Sequence, residues 1–523
     1  MGISILNDVL GPIMRGPSSS HTAGAYHIGS MVRDLLGEQP VKAVFTFDPE
    51  GSYSQTYNKQ NADKGFISGL LGRSLMDENF DLILKEAVQI GVEIEFKIDP
   101  LPEADHPNFV KIELTDNMGE IYTAMAKSTG GGSIILSHWN GWPVKLDGSD
   151  YGGLVFLKRY NSLRDIENFL EKMFKNVQIL RGDNEILLVV RSSNPVNLTQ
   201  LKGLEDFAEK IELINWKALH HVKKGNYIFK TLEDLETYAK QKELSLGQVA
   251  LEYEADLLGF SQEQSKQEML KRLKVMQDSV QTGLNDSTSK MQLLNPTASK
   301  IYKAINEKKV SLGGPHALAG VRAMATMHAC NSGAIVCAAP TGGSAGVIPG
   351  VIVTLIKDLN LDESSAIRAL FAAGAIGWAV ASQATFAAEI AGCQVEIGAA
   401  GAMAAAAVVE VVGGSVRHAL DAAAIAFQNT MGLICDLVQG TCEIPCHTRN
   451  AAAASNAFLC ADLILGGYEN PIPLDETIDA VYDVGKMLPS PLLCTAKGGL
   501  AITPSALKIK RKGSQSFTGD INK

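Results

Sequence analysis

Between Phe371 and Val409 only Glu389 and Glu396 are charged, and most of the other residues are Ala, Gly, Val or similarly small or apolar. That stretch restricts the fold sharply. Alanine is the best helix former, and small side chains let neighbouring helices approach closely. The composition stays dense in Ala, Gly and Val from 311 to 505. This part is read as a compact, mostly α-helical domain buried around a site, its glycine-rich breaks forming loops that face the site. All eight cysteines lie inside it, between Cys330 and Cys494. Any thiol chemistry therefore belongs to this domain.

A bilayer is the other place where such apolar runs occur. The longest run free of Asp, Glu, Lys and Arg, Ala323 to Ile356, is broken by Asn331, Pro340, Pro349 and several glycines. The run Ala369 to Ala388 is about long enough to span, but it contains Ser382, Gln383 and Thr385 and reads as a packed core helix. No membrane association is expected. With 57 acidic residues against 47 Lys+Arg, the net charge of −10 argues against nucleic acid or anionic lipid as a partner. Met1 to Leu10 shows no basic segment leading into a long apolar one, so the expected location is cytoplasmic and the thiols are expected free of disulfides.

The rest of the chain has a different texture. Residues 1–150 mix short strands with glycine turns: Val41 to Phe47, then the alternating Val92 to Phe96, then Gly130-Gly131-Gly132 leading into Ser133 to Leu136. The expected fold is an α+β N-terminal domain. In 151–222 the order is strand (Leu154 to Leu157), helix (Ser162 to Phe174, capped by Ser162), strands Val177 to Leu180 and Ile186 to Val190 around Gly182-Asp183-Asn184, helix Leu198 to Lys210 and strand Ile211 to Leu219. That βαββαβ order is ferredoxin-like. Residues 223–310 form a charged helical connector, 311–507 the helical domain, and 508–523 a basic tail read as a solvated end.

Three motifs hold side chains suited to chemistry. Gly16 to Gly24 places Ser18, Ser19, Ser20 and Thr22 around His21; it forms either a cradle for a small carboxylate or a capped helix start with His21 exposed. Pro340 to Gly346, with Thr341, Gly342 and Ser344, forms either an anion-binding turn or a loop permitting close helix packing. The third is the cysteine set, with Cys393 in Gly392-Cys393-Gln394 and Cys435, Cys442 and Cys446 in one short segment. No Cys-x-x-Cys occurs, and neither zinc-ribbon nor bacterial ferredoxin spacing is present. Spacing alone leaves cluster ligands and buried core thiols both open.

Taken together, the motifs resemble the iron–sulfur-dependent L-serine dehydratase family, with its β and α parts fused in one chain. The matching stretches are Gly16 to Gly24, Gly130 to Gly132, Pro340 to Gly346, Gly392 to Gln394, Leu433 to Asp436, Ile444 to Cys446, Arg449-Asn450 and Gly498 to Ala501. The resemblance implies a helical catalytic domain that holds a [4Fe-4S] cluster on Cys393, Cys435 and Cys446, with one iron left open. It also implies β-elimination from a small-molecule substrate, a homodimer, and an ACT-like regulatory role for 151–222. Ser18 to Thr22, Lys497 and Glu389 would serve catalysis. Gly131, Thr341, Gly342, Ser344, Asn429, Arg449 and Asn450 would bind the substrate. Cys330, Cys337, Cys442, Cys460 and Cys494 remain as core thiols, Cys442 the least settled of them.

Departures from the family pattern bear on the substrate. Where the family has a histidine in Gly-His-x-Thr-Asp, this chain has Gln60, which cannot titrate. Its Asn-Ala-Ser-Ile-Ser-Gly is here Gln383 to Ala388, followed by Glu389, which could pair with a substrate amine, act as base, or pair locally. The expected activity is loss of the β-hydroxyl from L-serine or a related β-hydroxy acid. A C–S lyase and a non-catalytic amino-acid sensor are the alternatives.

Overall fold

The computed structural model describes residues 2–174, 176–182, 185–285 and 290–512. The chain forms two compact units. The first comprises Met1–Asn7, Ser20–Ile228 and Tyr253–Gln264; the second comprises Asp8–Ser19, Phe229–Glu252 and Ser265–Lys523. The chain passes from one unit to the other between Ser19 and Ser20, inside the hydroxyl motif.

The first unit contains two sheets. In the five-stranded one the spatial order is Glu93–Ile98, Lys42–Phe47, Phe109–Thr115, Ile121–Gly130, Ser133–Trp139. The first pair is parallel and the others are antiparallel. Helices Gly24–Leu36 and Ala62–Leu70 pack together beside it. Phe45, Phe47, Tyr53, Phe66 and Trp139 fill its core. Strand Lys42–Phe47 and the strand over Val92 to Phe96 follow the sequence expectation, the latter shifted by one residue.

The second sheet is antiparallel throughout, in the order Ala208–Trp216, Tyr151–Tyr160, Glu185–Ser192, Asn176–Arg181. Leu187 and Val189 join the core of the first sheet, while Ile186, Leu188 and Val190 face a second core with Ile166 and Leu170. Successive side chains of a strand point to opposite faces, so an uninterrupted apolar run is what two buried faces require. Helix Leu163–Met173 begins at Ser162, whose side chain accepts from the Asp165 N–H. The helix expected over Leu198 to Lys210 is a shorter 3₁₀ helix, Leu198–Asp206, and its last residues belong instead to strand Ala208–Trp216. Asp183 and Asn184 of the expected turn lie outside the described residues.

The second unit is built from helices around Ile397–Val411, which packs against Val347–Asp358, Glu363–Gln383, Val416–Gln428 and Cys446–Leu465. Every residue from Ile397 to Glu410 is buried. Alanine and glycine leave little side chain between the backbones, which is how one helix reaches four neighbours. Glu363–Gln383 and Cys393–Val411 are long and apolar enough to cross a membrane, and 78% and 89% of their apolar windows are buried inside the fold. A short antiparallel pair, Ile13–Arg15 with Ile335–Cys337, brings the segment leading to Ser18 and Ser19 onto this unit. The solvated tail needs correction over its first residues. Arg511 donates to the Gln439 carbonyl, and Lys512 donates to Leu294 O and Asn295 Oδ1, so the chain is docked there by its cations. Residues 513–523 lie outside the described part.

Candidate functional site

In the helical unit, the loop ending at Cys393 is tied to the loop before Cys435. Gln394 N donates to Leu433 O at 3.0 Å, and Gly432 N donates to Gln394 Oε1 at 2.8 Å. Cys435 in turn pairs with the segment at Leu493: Cys435 N donates to Leu492 O and Cys494 N to Cys435 O, each at 2.9 Å. Cys446 opens helix Cys446–Leu465. The thiols of Cys393, Cys435 and Cys494 are consequently neighbours, as are those of Cys442 and Cys446. Cys393 also feels the charge of Cys446.

All eight cysteines are free and buried. Its neighbour Cys435, and then burial, hold the Cys393 thiol well above the ordinary range. Cys393 acts to lower Cys435, but its neighbour Cys494 and its burial prevail, so Cys435 is raised as well. Burial pushes Cys330 up to about 12 and Cys337 and Cys460 to about 11, so these stay thiols. Among the described residues no group of three or more His, Cys, Asp or Glu side chains stands arranged to hold a metal ion. The donor chemistry of Cys393, Cys435 and Cys446 nevertheless suits a thiophilic iron cluster: all three are buried sulfurs, and a cationic partner would reverse the raised proton affinity of Cys393 and Cys435.

Beside the thiols lies the turn Pro340 to Gly346. Thr341 Oγ1 and Ser344 Oγ are 3.0 Å apart, and Gly342 N donates to Ser19 Oγ at 3.1 Å. A Cβ at Gly342 would lie 2.7 Å from Ser19 N, so only glycine permits this approach. Asn450 holds the far end: its Oδ1 accepts from Gly346 N, and its Nδ2 donates to Gly343 O and Cys446 O. The Glu396 carboxyl lies against Gly343 of this turn, and burial pushes it up to about 8, aided by the Glu389 charge and opposed by Thr341. Glu389 itself is buried. Arg449 pairs with Asp436 at 2.9 Å and donates to Ile434 O, while Asp436 Oδ2 accepts from Leu500 N at 2.9 Å.

The helical unit thus brings together Ser19, Thr341, Gly342, Ser344, Glu389, Asn450, Arg449 and the three expected ligand cysteines. Ser18 belongs to the same unit. Asn429 stands apart: it is exposed and bonded to Asn456 and Cys460. Lys497 is exposed on the segment between Cys494 and Leu500. Sequence reasoning missed two members, Glu396 and Cys494. The signal for Glu396 was its place as one of two charges in an otherwise uncharged stretch. Cys494 had none, because only the Cys435–Leu493 bridge brings it near.

In the α+β unit, Ser20 Oγ lies 3.0 Å from His21 Nδ1, and His21 Nε2 lies 3.2 Å from Ser52 Oγ. The ring stands edge-on to Tyr53 at 5.1 Å. Thr22 Oγ1 donates to the Gln60 carbonyl. The capped-helix alternative is overturned. His21 is fully buried, Ala23 is the N-cap of Gly24–Leu36, and no side chain caps that helix. Gly131 lies in a turn whose three glycines all have positive φ: 102°, 62° and 89°. Next to it, Gly132 O meets His27 Nδ1 at 2.7 Å.

Comparison with known proteins finds relatives over most of the chain. A family model described as serine dehydratase alpha chain matches residues 240–501. An L-serine dehydratase of Haemophilus influenzae is 31% identical over 93% of this chain and 96% of its own. Two Bacillus subtilis proteins each match a part. A probable L-serine dehydratase alpha chain is 40% identical over 54% of this chain and 95% of its own length; a probable beta chain is 37% identical over 32% and 76%. The chain belongs to the L-serine dehydratase family.

Proposed function

We propose that the protein is a lyase that removes the β-hydroxyl and the α-proton of L-serine or a close β-hydroxy amino acid, and that Cys393, Cys435 and Cys446 hold a [4Fe-4S] cluster with one open iron. The observation that carries this reading is the group of buried free thiols, Cys393, Cys435 and Cys446, beside the buried carboxyl of Glu396. When bound there, the cluster would supply Lewis acidity toward the departing hydroxyl.

The protein's own groups do the remaining work. Ser19 Oγ, already accepting from Gly342 N, donates its O–H to a substrate carboxylate oxygen, with Ser344 and Asn450 holding the turn that shapes the cradle. Glu396, beside Gly343 of that turn, accepts the proton from the substrate α-carbon. This assignment accounts for Gln60 in place of the family histidine, since the proton has another destination. Loss of the proton and the hydroxyl leaves an enamine, whose imine tautomer is hydrolysed to a keto acid and ammonia; from serine the keto acid is pyruvate. The four-stranded sheet of 151–222 is read as an ACT-like regulatory element.

The test is release of pyruvate and ammonia from L-serine by protein reconstituted anaerobically with iron and sulfide. Turnover that collapses in Cys393→Ser, Cys435→Ser and Cys446→Ser supports the reading. Full activity in all three variants sinks the cluster, and absence of turnover with any β-hydroxy amino acid sinks the lyase.

A further inference from the structure

The α+β unit holds a cavity of about 250 Å³ at the end of the four-stranded sheet where strand Tyr151–Tyr160 begins and strand Glu185–Ser192 ends. At about 30 Å³ per water this is room for roughly eight waters, or one small organic acid. Tyr151, Asn194, His220, His221, Lys224 and Phe260 are among its lining residues. They supply one fixed cation, two imidazoles, hydroxyl and amide groups and an aromatic wall. None of the lining residues is acidic.

Its walls are built in advance of any ligand. Asn7 clamps His221 on both sides, donating from Nδ2 to His221 O at 2.8 Å and accepting at Oδ1 from His221 N at 3.2 Å. The N-terminal turn that carries Asn7 is anchored by the buried Glu254, which accepts from Ser4 Oγ, Ile5 N and Leu6 N. Phe260 stands edge-on to His221 at 5.3 Å, and Lys224 N is bonded to Leu257 O.

The inner wall leads onward. His220 packs edge-on against His27, with centroids 5.0 Å apart and rings at 87°. His27 Nδ1 in turn meets the Gly132 carbonyl at 2.7 Å. Burial holds His27 down to about 3, so the ring is neutral and its Nδ1–H is the donor. Burial and the Lys223 and His221 charges lower His220 to about 4, against the pull of Asp147. Two neutral rings therefore stand between the cavity and the glycine turn.

We infer that this cavity is a second binding site, for a small carboxylate, and that its occupant acts through His220 and His27 on the turn Gly130–Gly132. The site stands on its own geometry; only its meaning as control of turnover rests on the function proposed above. A carboxylate meets Lys224 and the imidazole edges, and its charge favours a proton on His220. An imidazolium there repels the positive edge of the His27 N–H and reweights the hydrogen bond to Gly132 O. The turn responds because three consecutive positive-φ glycines carry no side chains to hold it.

The intact protein is titrated calorimetrically with pyruvate, L-serine and inorganic phosphate, as wild type and as Lys224→Ala, His220→Gln and Ser19→Ala. The expected result is a carboxylate site that persists in Ser19→Ala and weakens at least tenfold in Lys224→Ala and in His220→Gln. Because Lys224 is exposed, its variant carries the test if His220→Gln fails to fold. Affinity unchanged in Lys224→Ala, or carboxylate binding lost only in Ser19→Ala, overturns the site; binding of phosphate with neither carboxylate overturns the ligand class. Hydrogen exchange in 128–136 is expected to change on adding the carboxylate that binds, in wild type but not in His220→Gln. Binding with unchanged exchange in wild type overturns the coupling. None of these readouts requires turnover, so failure of the lyase reading remains distinguishable from failure of this one.

Discussion

Cys435 and Cys494, fifty-nine positions apart along the chain, are neighbours because Cys435 N donates to Leu492 O and Cys494 N donates to Cys435 O, each at 2.9 Å. Cys435 thus has sulfur neighbours on two sides, Cys393 and Cys494. If Cys494 is a neighbour of the cluster and not a ligand, Cys494→Ala keeps the iron content of the reconstituted protein and lowers its stability by ~1 kcal/mol, the scale for deleting one small buried group. Cys435→Ala is expected to lose the iron. Iron per chain and denaturant midpoints for both variants check this; equal iron loss in the two would move Cys494 into the ligand set.

Asp436 links two segments that sequence order keeps apart, Arg449 on the helix after Cys446 and Leu500 on the loop after Lys497. Asp436→Ala leaves Leu500 N without this acceptor and removes the carboxylate facing Arg449. Because Arg449 keeps some solvent, the loss is set at ~1–3 kcal/mol, below that of a fully buried pair. Hydrogen exchange in 497–503 is expected to accelerate. Asp436→Asn retains an acceptor for Leu500 N and is expected to keep the loop protected while weakening the ion pair. Equal exchange in both variants would show that the ion pair, and not the Leu500 bond, holds the loop.

The Gly342–Ser19 contact separates packing from hydrogen bonding. Gly342→Ala sets a Cβ against the Ser19 backbone and is expected to displace the turn, with activity falling at least tenfold. Ser19→Ala leaves the space unchanged and removes one hydrogen bond, worth ~0.5–1.5 kcal/mol of stability. If Ser19 also donates to the substrate carboxylate, Ser19→Ala raises KM. Steady-state kinetics beside thermal unfolding separate the two effects, and an unchanged KM would confine Ser19 to structure.

What the sequence made legible follows the range of the forces involved. The alternation in Val92 to Phe96 and the cap at Ser162 are local rules: the helix begins at its cap, and the strand forms one residue later and runs to Ile98. The small-residue stretch around Glu389 and Glu396 implied close helix packing, which is a property of composition. The hydroxyl motif read equally well as a helix cap, because one segment cannot reveal that Ser52 and Tyr53 will bury His21. Glu396 was visible as an isolated charge, but its place beside Gly343 depends on how distant segments fold together. The 3₁₀ helix Leu198–Asp206 shows the same limit in reverse: pairing of Ala208–Trp216 with Tyr151–Tyr160 took residues that local periodicity assigned to a helix.

His27 and His220 give a pH dependence whose sign follows from their surroundings. Both are held below the ordinary histidine value of 6.5, to about 3 and about 4, chiefly by burial. Between those values and 6.5 the unfolded chain binds protons that the folded chain does not, so stability rises with pH and falls on acidification. The stabilisation is fully present above pH 6.5 and is progressively lost below it. Well inside that window, each such histidine contributes a slope of up to ~1.4 kcal/mol per pH unit. Denaturant unfolding of the intact protein from pH 7.5 to 5 is expected to show this decline, with a shallower slope in His27→Gln. A slope identical in wild type and His27→Gln would mean that His27 takes up its proton in the folded state, and the neutral donor to Gly132 would have to be abandoned.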